Sequence, residues 1–273
     1  MRFLLKINSV SVNNNPVNLG KITVLIGPNN VGKSQFLRDI LSIMSQGGPK
    51  TVVVRGIDFE PIYDFRSFAS DLMVYDNPEE MTYYYVGGLD PTLMRGEKMN
   101  ASKESVDREF SIDKVLGNLT KFKVTYLDAS SRLNISKTAT SSPPEDPPQN
   151  PLQGLYRLNK EATSEIRSIF NRAFNMDILL DYSELYALRF KVSQSFPDIS
   201  LDPQEAYAIL KSYPVLDEQG DGFKSFVGIV SGFLLSKERL ILLDEPEAFL
   251  HPKQSRILGN WIASILTRTI TKS

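Results

Sequence analysis

The sequence predicts an α/β fold built on a mainly parallel sheet, and three observations carry that expectation. A short apolar run, Ile22-Thr-Val-Leu-Ile26, stops at Gly27, and after a glycine-bearing loop an amphipathic helical pattern begins near Lys33. A second run, Arg239 to Leu243, stops at Asp244-Glu245 and leads past Pro252 into another amphipathic pattern. Between them strand-like and helix-like stretches alternate, the order expected when helices cover a parallel sheet.

Taken in order, Phe3 to Val12 alternates loosely as a strand and runs into the turn-rich Asn13-Asn14-Asn15-Pro16. Ile22 to Ile26 has the uninterrupted apolar character of a buried strand. In the helix that follows, Phe36, Leu37, Ile40, Leu41 and Met44 share one face, and Gly47-Gly48 supply the stop. Thr51 to Arg55 is the next strand. Residues 57–120 are aromatic-rich and broken by Gly and Pro, so no regular element is predicted; they read as an inserted lid or subdomain. Phe122 to Leu127 is again a strand. Residues 134–151 hold five prolines and almost no apolar side chains, which predicts a disordered or extended loop. Leu158 to Phe174 is helical, with Ala162, Ile166, Ile169, Phe170 and Phe174 on one stripe. Asp202-Pro203-Gln204-Glu205 has an N-cap, an N1 proline and a capping-box Glu, opening a helix over 203–213. The last helix carries Ile257, Leu258, Trp261, Ile262, Ile265 and Leu266 on one face. No internal repeat is visible.

Bulk composition narrows the class. With 273 residues the chain is long enough for one large domain or two small ones. A formal net charge of −1 provides no bulk field for nucleic acid or membrane, so any DNA contact needs a local patch. No cysteine is present, which excludes disulfides and thiolate metal sites. The most apolar stretch, Phe226 to Leu235, is interrupted by Gly228, Ser231 and Gly232, and it is well short of the about 20 residues a span needs. The N-terminus lacks the long apolar stretch of a signal peptide. The expectation is a soluble cytoplasmic protein with no membrane partner.

Gly27-Pro28-Asn29-Asn30-Val31-Gly32-Lys33-Ser34 fits G-x-x-x-x-G-K-[ST] at every fixed position. The glycines let the backbone curl so that successive N–H groups face a phosphate, and the helix beginning at Lys33 adds its N-terminal dipole. Lys33 supplies a point charge for β- and γ-phosphates, and the Ser34 hydroxyl ligates Mg2+. Asp244, at the end of a second buried strand, would hold the same ion through its water shell. Glu245 beside it would accept a proton from the attacking water. ATP and Mg2+ are the cofactors these residues call for.

Asp244-Glu-Pro-Glu-Ala-Phe-Leu-His251-Pro252 resembles the Walker B and D-loop region of ABC-type ATPases of the SMC-like and OLD-like group, whose Walker A wording the loop 27–34 also has. Gln219 to Ser225, opening an apolar helix ahead of Walker B, matches the position of the ABC signature, although Gly220 stands where a serine is usual. The resemblance covers most of 1–56 and 120–273. It implies a P-loop NTPase of ABC type: a RecA-like, mainly parallel sheet with an N-terminal antiparallel β portion and an inserted lid. It further implies an ATPase spanning 1–273, with Glu245 as the catalytic base and Ser34 and Asp244 at the metal. Gly27, Pro28, Asn29, Asn30, Val31, Gly32, Lys33, Ser34, Gly220, Asp221, Gly222 and His251 would meet the nucleotide. Two copies would form a head-to-tail homodimer around ATP, in the service of a DNA-repair or anti-phage effector such as a nuclease or toxin, with DNA a further partner. Two departures stand out. No Q-loop glutamine can be assigned in 50–120, and the strand ending in a switch histidine does not follow. The chain therefore reads as an N-terminal fragment or a natural truncation, with weak or absent hydrolysis. The competing expectation is a nucleotide-binding assembly module with little turnover.

Three further features have bland and functional readings. Tyr83-Tyr84-Tyr85 is a strand with one packed face or a base-stacking surface. Lys121, Lys123, Arg132 and Lys137 are a solvated face or a phosphate contact, and Arg132 resembles a position near the nucleotide in OLD-like ATPases. Trp261 is expected in the core.

Overall fold

A computed structural model describes residues 5–46, 50–59, 73–76, 83–90, 95–102, 104, 116–141, 143, 148–158, 160–236 and 239–270. The protein is mixed α/β, with small antiparallel sheets and one parallel pair of strands. It divides into two compact units, residues 1–88, 97–126 and 236–244, and residues 89–96, 127–235 and 245–273.

The first unit opens with a hairpin. β1 (Ile7–Val12) and β2 (Asn15–Asn18) pair antiparallel across Asn13 and Asn14, both at positive φ (50° and 62°). Asparagine tolerates that conformation better than other non-glycine residues, so it can make the tight mirror-image turn that matches strand twist. The helix α1 (Lys33–Gln46) follows the glycine loop as expected. β3 (Val54–Phe59) pairs antiparallel with the other edge of β1. It starts three residues later than the sequence predicts; the backbone N–H groups of Val52 and Val53, just before it, are taken up by a helix side chain, described below. Further along, β4 (Met73–Asp76), β5 (Tyr83–Asp90) and β6 (Arg95–Ser102) make a three-stranded sheet where the sequence predicts no regular element. The tyrosine run begins β5, and its side chains lie outside the described residues. The short helix α2 (Thr120–Lys123) leads into β7 (Val124–Leu127). The core of this unit gathers Leu5, Val10, Ile40, Met44, Phe59, Phe122 and Leu242.

One expectation fails here. Ile22 to Ile26 is not a buried strand: no ladder includes it, and Ile26 is 92% exposed and Val24 73%. An apolar run reports strand propensity, but burial requires a neighbour to accept its hydrogen bonds and cover its side chains. None of the described residues does so. The mainly parallel sheet that was expected is thus represented, among the described residues, by a single parallel pair.

The second unit packs helices around the apolar helix α7 (Asp221–Leu235). The helix α3 (Ala129–Ile135) is capped by Asp128, whose side chain accepts from Ser131 N, an arrangement worth about 1 kcal/mol. It crosses α7 so closely that a Cβ on Gly228 would lie 2.0 Å from the Arg132 carbonyl oxygen. The helix expected over 158–174 is α5 (Lys160–Phe174), with Ala162, Ile166, Ile169 and Phe170 buried, and it is preceded by a helix that was not expected, α4 (Pro151–Leu158). Phe174 sits edge-on to Phe223 and Phe226 at 4.4 and 5.1 Å between ring centroids.

β8 (Ala139–Thr140), β9 (Asp177–Asp181) and β10 (Ala187–Ser193) form an antiparallel sheet in the order β8-β10-β9. The expected disordered loop at 134–151 is therefore ordered at both ends. The Thr140 carbonyl accepts from Asn150 Nδ2, and Pro143's carbonyl accepts from Arg157. Residues 142 and 144–147, with Pro144 and Pro147 among them, lie outside the described residues. The helix α6 (Pro203–Leu210) is shorter than the expected 203–213. Asp202 caps it as expected, but Glu205 accepts from the Ser200 hydroxyl, which itself accepts from Asp202 N, so the capping box runs through a serine relay. β11 (Leu240–Leu243) pairs with β7, and α8 (Pro252–Ile270) follows with Trp261 buried and bonded to Glu165 at 2.7 Å. No described helix is long and apolar enough to cross a membrane.

Candidate functional site

The loop 27–34 owes its shape to a few residues. Asn30 and Gly32 have positive φ of 65° and 94°, and a Cβ on Gly27 would meet Val31 Cγ2 at 2.9 Å. α1 then begins, with Phe36 N donating to Gly32 O at 2.8 Å. Lys33 folds back over the loop and donates to the Gly27 and Pro28 carbonyls at 2.9 and 2.8 Å. Its ammonium is thus held by the carbonyls of the loop's own first two residues.

Ser34 and Asp244 come together. The Ser34 hydroxyl donates to Asp244 Oδ1 at 2.9 Å, and the Tyr126 hydroxyl donates to Oδ2 at 3.1 Å. Both carboxylate oxygens of Asp244 are thereby oriented, one toward the loop and one toward β7. Nothing in the sequence marks Tyr126: it sits in an ordinary-looking VTYL strand, and only the pairing of β7 with β11 brings it beside Asp244. Among the described residues no group of three or more His, Cys, Asp or Glu side chains forms a metal cage.

A second unforeseen residue supports the loop from behind. Asp39, 1% exposed beside Ile40 on α1, accepts from the backbone N–H groups of Val52, Val53 and Val54 at 3.0, 2.6 and 2.9 Å, and from Gln35 at 2.7 Å. Burial pushes its carboxyl up, but the Val54 amide, Gln35 and the other two amides outweigh it and hold the group below the ordinary aspartate value. The fixed segment places Val53 Cγ2 3.3 Å from where a Cβ on Gly32 would stand. Asp39 lies off the stripe of Phe36, Leu37, Ile40, Leu41 and Met44, so the sequence carries no signal for its burial.

Within the second unit, Glu245 has a positive φ of 44°. Its carbonyl accepts from Ala248 N and from the guanidinium of Arg132, which is 0% exposed, both at 2.9 Å. Arg132 thus anchors the peptide of Glu245 and is a buried structural cation rather than part of a solvated face. The candidate signature opens α7: the Gly220 carbonyl accepts from Phe223 N at 3.0 Å, and Asp221 pairs with Lys224 at 2.8 Å. Gly220 is open, with nothing within 4 Å of where a Cβ would stand, whereas a Cβ on Gly222 would lie 2.8 Å from the Phe249 carbonyl oxygen. Gly222 is therefore required by the turn that follows Glu245. His251 is exposed and opens α8: its N–H donates to Gln254 Oε1 at 2.9 Å, and its carbonyl accepts from Gln254 N and Ser255 N. That is a helix-capping role, and its imidazole makes no hydrogen bond to a described residue.

No protein-family model matches this chain, and no curated protein matches it either.

Proposed function

We propose that this chain is a P-loop NTPase of ABC type that binds ATP with Mg2+ on the loop 27–34 and hydrolyses it when two copies meet head to tail. The observation that carries the reading is the Ser34–Asp244 contact at 2.9 Å. A hydroxyl after the loop lysine and a carboxylate at the end of another strand are the two protein ligands such a magnesium site uses, and they are hard oxygens of the kind Mg2+ prefers. Mg2+ keeps several waters and so needs no all-protein cage. When bound, the ion would neutralise charge on the β- and γ-phosphates.

The chain's own residues would divide the remaining work. Lys33 would exchange the Gly27 and Pro28 carbonyls for phosphate oxygens. Tyr126 would hold Asp244 in position. Glu245, with its peptide fixed by Arg132, would take the proton of the attacking water. Gly220 and Asp221 would approach the partner's γ-phosphate. The dimer would transmit nucleotide state to a DNA-repair or anti-phage effector.

The alternative, a nucleotide-binding assembly module with little turnover, is favoured by one observation: the segment 22–26 leading into the loop has no ladder partner among the described residues. Calorimetry and turnover separate the readings. Wild type should bind MgATP and Lys33→Ala should not; equal affinity in both, with folding verified, would sink the site. Glu245→Gln should bind ATP normally while losing turnover by about a hundredfold or more. A wild-type protein that binds but does not hydrolyse would establish the alternative.

A further inference from the structure

The second unit holds a cavity of about 470 Å³ beside β10, lined among others by Arg189, Lys191, Lys211, Tyr207, Tyr213 and Glu218. Arg189 and Lys191 are two apart on β10 and so project to the same face of the strand. Lys191 is 2% exposed, yet its ammonium makes one hydrogen bond, to the Tyr213 carbonyl at 3.1 Å, and no described carboxylate pairs with it. A buried ammonium with donors to spare and no described counter-charge is disfavoured unless an anion or water supplies the missing contacts. Arg189 is half-satisfied: its Nη2 meets Glu184 at 2.5 Å, while its buried Nε has no partner among the described residues. Lys211 adds an exposed cation at the cavity's edge.

Three cationic side chains thus line one cavity against two carboxylates, one of which is already used by Arg189. The walls are preset. Val192 N donates to the Pro214 carbonyl at 3.0 Å, Lys191 bridges to Val215, and the ring of Tyr213 rests against Phe196 at 4.9 Å. The cavity lies within the size range of small-molecule sites, and the tyrosine rings offer apolar surface beside the cations.

We propose that this cavity is a binding site for a small phosphorylated molecule, its phosphate held by Lys191 and Arg189 and screened at the edge by Lys211. The site belongs to the second unit and does not depend on the nucleotide reading of loop 27–34.

The test uses full-length Lys33→Ala protein, so that loop 27–34 does not contribute, titrated calorimetrically with inorganic phosphate, pyrophosphate and a nucleoside monophosphate. Saturable binding with a stoichiometry of one is expected for at least one probe. Lys191→Met, which keeps the length of the side chain and removes its charge, should weaken that binding at least about tenfold, with folding checked by thermal melting. Should Lys191→Met not fold, Lys211→Glu reverses an exposed charge and should weaken binding several-fold on its own. Absence of binding by all three probes at millimolar concentration would overturn the proposal, as would affinity unchanged in both variants. A single-stranded oligonucleotide that binds this cavity while the small probes do not would also overturn it, in favour of a nucleic-acid backbone.

Discussion

Ser34 and Asp244 lie 210 positions apart, and the hydroxyl of one donates to the carboxylate of the other at 2.9 Å while Tyr126 holds the second carboxylate oxygen at 3.1 Å. The carboxylate is therefore positioned by two hydroxyls from two different elements. Tyr126→Phe removes one of them without changing the packing of the ring. We expect it to weaken Mg2+-dependent ATP binding by roughly three- to tenfold, about 1 kcal/mol, with little effect on binding measured without metal. Calorimetry with and without magnesium reads the difference; identical metal dependence in wild type and variant would show that Tyr126 does not position Asp244.

Dimerisation is best tested at Gly220 rather than Gly222. Both glycines open α7, but the Phe249 carbonyl oxygen leaves no room for a Cβ on Gly222, while Gly220 faces open space. Gly222→Asp would distort the turn after Glu245 as well as any partner contact. Gly220→Asp, introduced into Glu245→Gln protein, should leave ATP binding to the monomer intact and abolish the ATP-induced dimer. Light scattering in saturating MgATP is the measurement, and a dimer that persists would remove residues 219–225 from the interface.

Asp39 ties the stability of the first unit to pH. Its folded-state carboxyl lies below its ordinary value, so the stabilisation is complete above the unfolded-state pKa, near the ordinary aspartate value of 3.8, and is lost as pH falls through the lower folded-state value. Asp39→Asn should cost roughly 2–3 kcal/mol at neutral pH, since three amide donors lose a charged acceptor. The difference from wild type should shrink in urea melts as pH falls below the ordinary aspartate value of 3.8 and the aspartate itself is protonated. A pH-independent difference would mean that the carboxylate's charge is not what fixes Val52 to Val54.

Gly228 marks the closest approach of two helices. A Cβ there would stand 2.0 Å from the Arg132 carbonyl oxygen, so α3 and α7 would have to separate. Gly228→Ala should destabilise the second unit by about 3 kcal/mol or more, despite the better helix propensity of alanine. Because Arg132 also holds the Glu245 carbonyl, turnover should fall more than ATP affinity. A melting temperature equal to wild type would show that the crossing relaxes without strain.

Much of the candidate site was legible in the residues alone. The spacing of Gly27, Gly32, Lys33 and Ser34 and the Asp244-Glu245 pair after an apolar run depend on local chemistry, which a sequence records directly. The start of α1 at Lys33, the Asp202 cap and the apolar stripe of Ala162, Ile166 and Ile169 were readable for the same reason: each is set by neighbours within four residues. What the chain does over longer distances was not. Ile22 to Ile26 had strand propensity, but the partner strand that would bury it is a tertiary matter, and the run stands exposed. Residues 134–141 looked featureless, yet β10 supplies a ladder partner for Ala139 and Thr140. Tyr126, Asp39 and Arg132 acquired their roles from strands and helices that meet them far along the chain. Hydrogen-bond partners and close approaches such as Gly228 against Arg132 are decided only when elements pack, because sequence periodicity says which face is buried but not what lies against it.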